Sequence, residues 1–226
     1  MLGQINRLEW VTYAFVFLMI AIGSLLFWTN EPLFQRFVVE DGIVEWLTVI
    51  GLLSVTVVSL RRVVVLRPVR SFRFLLMTAL LGLLFIFGAG EEISWGQRIF
   101  GIETSDFFQQ HNAQRETNLH NMKIGDVSIN KLIFSKIWLL SMLTYWFLVT
   151  PLYKRQQAFA RFVDSFAVPI PQNHHIIANV AGLILAELLI DSTKRDELTE
   201  MAFGFLFLLN VAFPYNQRIF EPKSTL

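Results

Sequence analysis

Long apolar runs separated by short polar or basic segments dominate this chain. Trp10 to Trp28 is the first. It is long enough to cross a hydrocarbon core, which takes roughly 20 residues. Trp10, Tyr13 and Trp28 suit its two interfaces as aromatic anchors. A cleaved signal peptide is the rival reading, but the run is long for one and only Arg7 is basic ahead of it. Further runs cover residues 43–60, 74–90, 132–153, 176–190 and 198–215. The last two can instead form a re-entrant hairpin, because the fifth is short. Residues 156–172, closed by Pro169 and Pro171, read as an interfacial segment. The expected fold is therefore an all-α, polytopic transmembrane helix bundle of about six spans. It forms one membrane domain over residues 1–226, with an outer polar loop at 91–131.

Composition agrees with lipid as the solvent: 54% of the residues are hydrophobic and 16% charged, where a soluble domain has about a quarter charged. A net charge of +1 carries no global basic bias toward nucleic acid. The absence of cysteine excludes disulfides, thiolate nucleophiles and Cys-based metal sites.

The distribution of charge orients the chain. With the N-terminus inside, the inner segments hold Arg7, Arg61, Arg62, Arg67, Arg70, Arg73, Lys154, Arg155, Arg161, Arg218 and Lys223, 11 of the 19 basic residues. The expected topology is N-in and C-in, in the plasma membrane of a prokaryote. The arginine loop after the second span is expected to touch anionic lipid. Of the 18 acids only Glu9, Asp164 and Glu221 fall inside.

Eight of the remaining acids lie in three blocks on the outer side, and spans five and six add Glu187, Asp191 and Glu200; membrane-edge carboxylates are functional candidates by default. The first is Glu40-Asp41-Gly42-Ile43-Val44-Glu45-Trp46. Asp41 suits a helix cap; Glu45, a full turn in, does not. The second is Gly90-Glu91-Glu92-Ile93-Ser94-Trp95-Gly96-Gln97-Arg98, read as a continuation of the third span. Adjacent carboxylates resist ionising together and suit acid/base work or a metal pair. Glu91 and Arg98 are seven apart and can pair. The third is the loop 103–121, where Thr104 or Ser105 can cap a helix. On that helix Asn112, Glu116 and His120 recur at i, i+4 and i+8 as one polar stripe. It reads as a lid beside Trp95 and Phe107-Phe108.

The expected catalytic set is Glu91, Glu92, Glu116 and His120, with Glu92, Glu116 and His120 as ligands if a divalent metal is bound. Arg98 is expected to hold an anionic head group, with Glu45, Trp95, Asn112 and Asn121 around the substrate. Elsewhere, Ala178, Gly182 and Ala186 mark a close-packing face on the fifth span, and Asn179 and Asn210 suit interhelical hydrogen bonds. Glu187 is expected to pair with Lys194 or Arg195.

The blocks Glu40-Asp41-Gly42…Glu45-Trp46, Gly90 to Arg98 and Asn118-Leu119-His120-Asn121 resemble those of a group of uncharacterised small prokaryotic membrane proteins, over roughly residues 40–122. That resemblance implies a shared outer polar site and no particular activity. Glu91-Glu92 with Arg98, and His175-x-x-x-Asn179 after His174, is similar to the intramembrane CAAX-protease-like family, whose signature pairs Glu-Glu-x-x-x-Arg with later histidine motifs. Here the arginine stands six residues after Glu92 instead of four, and the expected topology sets His175 on the other membrane face.

Three functions fit this pattern. The first is a membrane-embedded hydrolase or transferase on a lipid or lipid-linked substrate. The second is a small proton-coupled transporter using Glu45, Glu91 and Glu187. The third is an accessory subunit of a larger membrane complex. Membrane lipids are the expected partners in each, and a homo-oligomer is an alternative assembly.

Overall fold

The computed structural model describes residues 5–124, 127–128 and 136–222. It is all-helical apart from a two-residue antiparallel pairing of Lys123–Ile124 with Val127–Ser128. Among the described residues three helices are long and apolar enough to cross a membrane: α1 (Arg7–Thr29), α3 (Ile43–Leu66) and α4 (Phe72–Glu92). Their outward faces carry exposed Leu18, Leu25, Val57, Val64, Leu83 and Leu84. Apolar residues both inside and outside a helix suit lipid surroundings, so the chain fits a membrane protein.

Local chemistry sets the helix ends. Asn6 and Glu9 form a reciprocal capping box at the start of α1. Asn30 caps the short α2 (Glu31–Phe37), which has proline in its first turn. Ser71 caps α4. The fourth apolar run begins at residues 132–135, outside the described residues. From Trp138 it is helical through α7 (Trp138–Thr144), a π-helical turn (Tyr145–Val149) and α8 (Thr150–Arg155). Pro151 accounts for the widened turn: it has no N–H to donate and its ring presses on the preceding turn, a known cause of such distortions. The amphipathic α9 (Gln157–Ser165) follows.

The two last long helices, α10 (Asn173–Leu189) and α11 (Arg195–Ala212), are the fifth and sixth apolar runs. α11 is the centre of the packing, in contact with α1, α3 and α10. Ala202, Leu206 and Leu209 of α11 meet Tyr13, Val16 and Ile20 of α1 and Ala178 of α10. Its Phe207 and Val211 meet Val49, Leu52 and Val55 of α3 and Phe85 and Ala89 of α4. Gly182 of α10 faces Leu206 and Ile20, so the small-residue face packs within the chain.

The crossing of α3 and α11 is close. A Cβ on Gly51 would lie 3.0 Å from the Gly204 carbonyl carbon, whereas one on Gly204 would meet nothing nearer than 3.4 Å. Gly51→Ala is expected to destabilise the bundle by about 1–3 kcal/mol through overpacking, and Gly204→Ala by clearly less. Unfolding of the detergent-solubilised variants checks the order; equal midpoints would contradict this crossing.

The contacts define two ends. At one, Arg62 and Arg70 reach the backbone of Ala212 and Arg218, Arg73 covers Phe166, Lys154 bonds Asn173, and Glu9 meets His174 and His175. This is the basic end. At the other, Trp28 bonds the Leu189 carbonyl, Glu40 meets Lys194, and Arg98 meets Asp41 and Glu45. This is the acidic end.

Candidate functional site

The acidic end is built on a chain reversal. α4 stops at Glu92, and Ser94, Trp95 and Gly96 all have positive φ, at 47°, 55° and 75°. A left-handed backbone is unfavourable for serine and tryptophan, so side chains must hold it. The fully buried Ser94 hydroxyl donates to Glu116 Oε2 at 2.5 Å. The Trp95 indole donates to Glu91 Oε1 at 2.8 Å and lies against Gly90, where a Cβ would come within 2.8 Å of the ring. The continuous helix expected through Arg98 is thus corrected: the left-handed turn folds the chain back into the short α5 (Gln97–Phe100).

That reversal aims Arg98 at three carboxylates. Its Nη2 donates to Glu45 Oε1 at 3.2 Å, its Nη1 donates to Glu116, and its Nε lies 2.7 Å from Asp41 Oδ2 without hydrogen-bond alignment. Burial by itself would lower the Arg98 pKa; Glu116, Asp41 and Glu45 outweigh it and raise it above the ordinary value. The expected Glu91–Arg98 pair does not form, because Glu91 turns the other way. Asp41 does not cap α3: the cap residue is Gly42, and Asp41 (φ 59°) gives its N–H to Glu45 Oε2 at 2.6 Å.

The loop closes over this centre. Glu91, buried, accepts the backbone N–H of Leu119 at 2.6 Å and of His120 at 2.9 Å as well as the indole. The stripe Asn112, Glu116, His120 is corrected: α6 (Asp106–His111) ends before it. Asn112 is extended, and its Oδ1 accepts the N–H of Gln114 and Glu116 while its Nδ2 donates to Asn118. A side chain that satisfies its own downstream backbone replaces helical bonding. Asn118 passes the network on, donating to Ser94 and Glu116 and accepting the Asn121 N–H. Asn121 also donates from its side chain to Gln114. Gln97 ties the loop again through Thr104 and the Thr117 N–H. His120 is half-buried, and burial draws its pKa below the usual value against the pull of the Glu91 charge. Its ring is expected to be neutral at pH 7.

Glu92 differs from its neighbours. It feels the charges of Glu197, Glu45 and Glu91, and Glu200 feels Glu92, Glu197, Asp196 and Glu45. Among the described residues neither Glu92 nor Glu200 accepts a hydrogen bond or forms an ion pair, whereas Glu197 has Lys194 at 3.6 Å. The structure therefore brings Glu45, Glu91, Glu116, Arg98, Trp95, Asn112 and Asn121 into one network and leaves Glu92 outside it, on the side of α11. Glu197 was not among the sequence candidates, and Glu200 was read only as one more acid of the last two spans, with no role assigned to it. Their signal was present: two acids three apart at the start of an apolar run share one helix face.

Comparison with protein-family models, curated proteins and solved structures finds no match.

The ligand set expected in the outer loop, Glu92, Glu116 and His120, does not form a cluster with its donor atoms together. Among the described residues the Glu/His group that does so is another one, Glu9, His174 and His175, at the basic end. Asn179 donates to the His175 carbonyl inside its own helix, and Asn210 has no side-chain partner among the described residues, so neither bridges helices as expected. Glu187 pairs with Arg195 at 2.8 Å.

Proposed function

We propose that this chain is a multi-pass membrane enzyme of hydrolase or transferase type. In this reading it acts on a lipid or lipid-linked substrate at the acidic end, with Glu92 as the acid/base group and Glu200 beside it. The observation that carries the reading is the contrast within the acidic set. Glu91 and Glu116 are consumed by N–H and O–H donors that hold the loop, and Arg98 is consumed by carboxylates. Glu92 lies among carboxylates with no hydrogen-bond donor or cation of its own among the described residues. A carboxyl group that no structural bond claims is available to take and return a proton. The separation of basic from acidic ends supports the six-span, N-in and C-in arrangement in a plasma membrane, with the acidic end outward.

The test is reconstitution into liposomes of a bacterial polar lipid extract, followed by mass-spectrometric lipid profiling. Wild-type protein is expected to convert one lipid class. Glu92→Gln is expected to slow this by about 10²–10⁴-fold, the usual contribution of a general acid or base, with Glu200→Gln intermediate. Conversion unchanged in Glu92→Gln would overturn the assignment.

A second reading, a proton-coupled carrier, draws on the titratable Glu9–His174–His175 group at the opposite end. It predicts proton flux across the same liposomes, reported by an internal pH dye, without any change in lipid.

A further inference from the structure

At the basic end, two helix starts far apart in the chain share one carboxylate. Glu9 sits in the first turn of α1, and its Oε2 accepts the Asn6 N–H at 2.7 Å as part of the capping box. Its other oxygen, Oε1, points into the bundle. His174 Nε2 lies 3.0 Å from it and His175 Nε2 2.6 Å. All three side chains are nearly sealed from solvent: Glu9 and His175 are 1% exposed and His174 6%. Their donor atoms lie within 4.8 Å of one another.

Two further atoms at this place lack partners. Among the described residues the buried His174 Nδ1 has no hydrogen bond, and neither has the buried hydroxyl of Tyr13, one turn along from Glu9 on α1. Tyr13 packs edge-on against the His174 ring, with centroids 6.3 Å apart, and it feels the Glu9 charge. Unpaired polar atoms are rare in native interiors, and each calls for an explanation. A carboxylate buried against two imidazoles is likewise costly unless a cation compensates it.

We propose that Glu9, His174 and His175 bind a divalent first-row transition metal, with zinc the best fit to the donor set. One carboxylate oxygen and two imidazole nitrogens are a ligand set that zinc takes in catalytic sites, where a fourth position stays open. The Tyr13 hydroxyl, near enough to feel the Glu9 charge, is the neighbouring polar group without a partner among the described residues. Binding puts a proton on each Nδ1. His174 Nδ1 has no competing hydrogen bond among the described residues; at His175 it replaces a long 3.4 Å approach of the Gln172 N–H. The site joins the first turns of α1 and α10, so the metal also fastens these helices together. It is separate from the acidic end and does not depend on the enzymatic reading of Glu92.

The test is elemental analysis of the full chain purified in detergent without chelators, with Co(II) titration of the stripped protein followed by visible absorption. About one zinc per chain is expected, with a tetrahedral-type Co(II) spectrum saturating at one equivalent. Glu9→Gln and His175→Ala lose both signals, whereas Glu92→Gln and His120→Ala keep them. Wild-type protein that holds no stoichiometric zinc and shows no saturating Co(II) spectrum overturns the proposal, leaving a hydrogen-bonded clasp between helices. Metal lost on Glu92→Gln or His120→Ala overturns it too, by moving the site to the acidic end. Should His175→Ala fail to fold, Glu9→Gln and the wild-type Co(II) titration decide alone.

Discussion

Arg98→Ala is expected to destabilise the protein by about 3 kcal/mol, the lower end of what removing one partner from a buried ion pair costs, because the guanidinium is itself partly exposed. The guanidinium faces three carboxylates, and two of them are poorly exposed: the Glu45 side chain at 5% and that of Glu116 at 14%. Without Arg98 their charges repel in a poorly hydrated place, and the start of α3 loses its tie to the loop. Arg98→Lys should recover only part of the loss. An ammonium on a flexible stem cannot present the planar fork that reaches Asp41, Glu45 and Glu116 together. The measurement is equilibrium unfolding in detergent, with limited proteolysis of residues 97–122 as the local readout. A midpoint unchanged from wild type would show that the carboxylates are not held this way. The network gives Arg98 a structural task through Asp41, Glu45 and Glu116.

The second large effect is at Glu91. Glu91→Ala removes the acceptor of the Trp95 indole and of the Leu119 and His120 N–H groups. Hydrogen bonds to a charged group contribute about 1.5–3 kcal/mol each. The three are not additive, because the loop can relax toward water, so a total loss of about 3 kcal/mol is expected. Location is the sharper readout. Amide hydrogen exchange should accelerate at Leu119 and His120 in Glu91→Ala, while the amides of the distant α10 stay protected. Uniform acceleration would mean that Glu91 supports the whole bundle. No acceleration would mean that its carboxylate is not the loop's anchor. Glu91→Gln, which keeps one carbonyl acceptor, should fall between wild type and alanine.

The two substitutions separate scaffold from chemistry. Both act on the clasp that holds residues 94–122 over the bundle. Neither removes Glu92, whose replacement should leave stability nearly intact, since no described donor or cation depends on it.

The apolar runs were legible because burial in lipid needs only length and hydropathy, which adjacent residues supply without knowledge of what they touch. That is why α1, α3 and α4 appear where the runs stand. The polar blocks were legible for the same local reason: Glu45, Glu91, Trp95, Arg98, Asn112, Glu116 and Asn121 do converge at one end of the fold. Their roles were not. Reading Asn112, Glu116 and His120 as a stripe assumed a helix, and the Asn112 side chain abolishes that helix by bonding the N–H groups ahead of it. Asparagine side chains make such local backbone bonds readily, in competition with helix continuation.

Composition, charge asymmetry and local capping determine a helical chain suited to a membrane, a basic end and an acidic end. Even the Asn6-x-x-Glu9 capping box is written in four consecutive residues. Only the tertiary structure decides which carboxylates are consumed and which remain. It alone turns Ser94 to Gly96 left-handed, sends Arg98 to Glu45 rather than Glu91, and joins Glu9 to His174 and His175 across 165 residues. The reason is one of range. Hydrophobic patterning and capping act over a turn or two, whereas the partner of a buried charge is chosen by helix packing, which brings together residues that no local spacing connects.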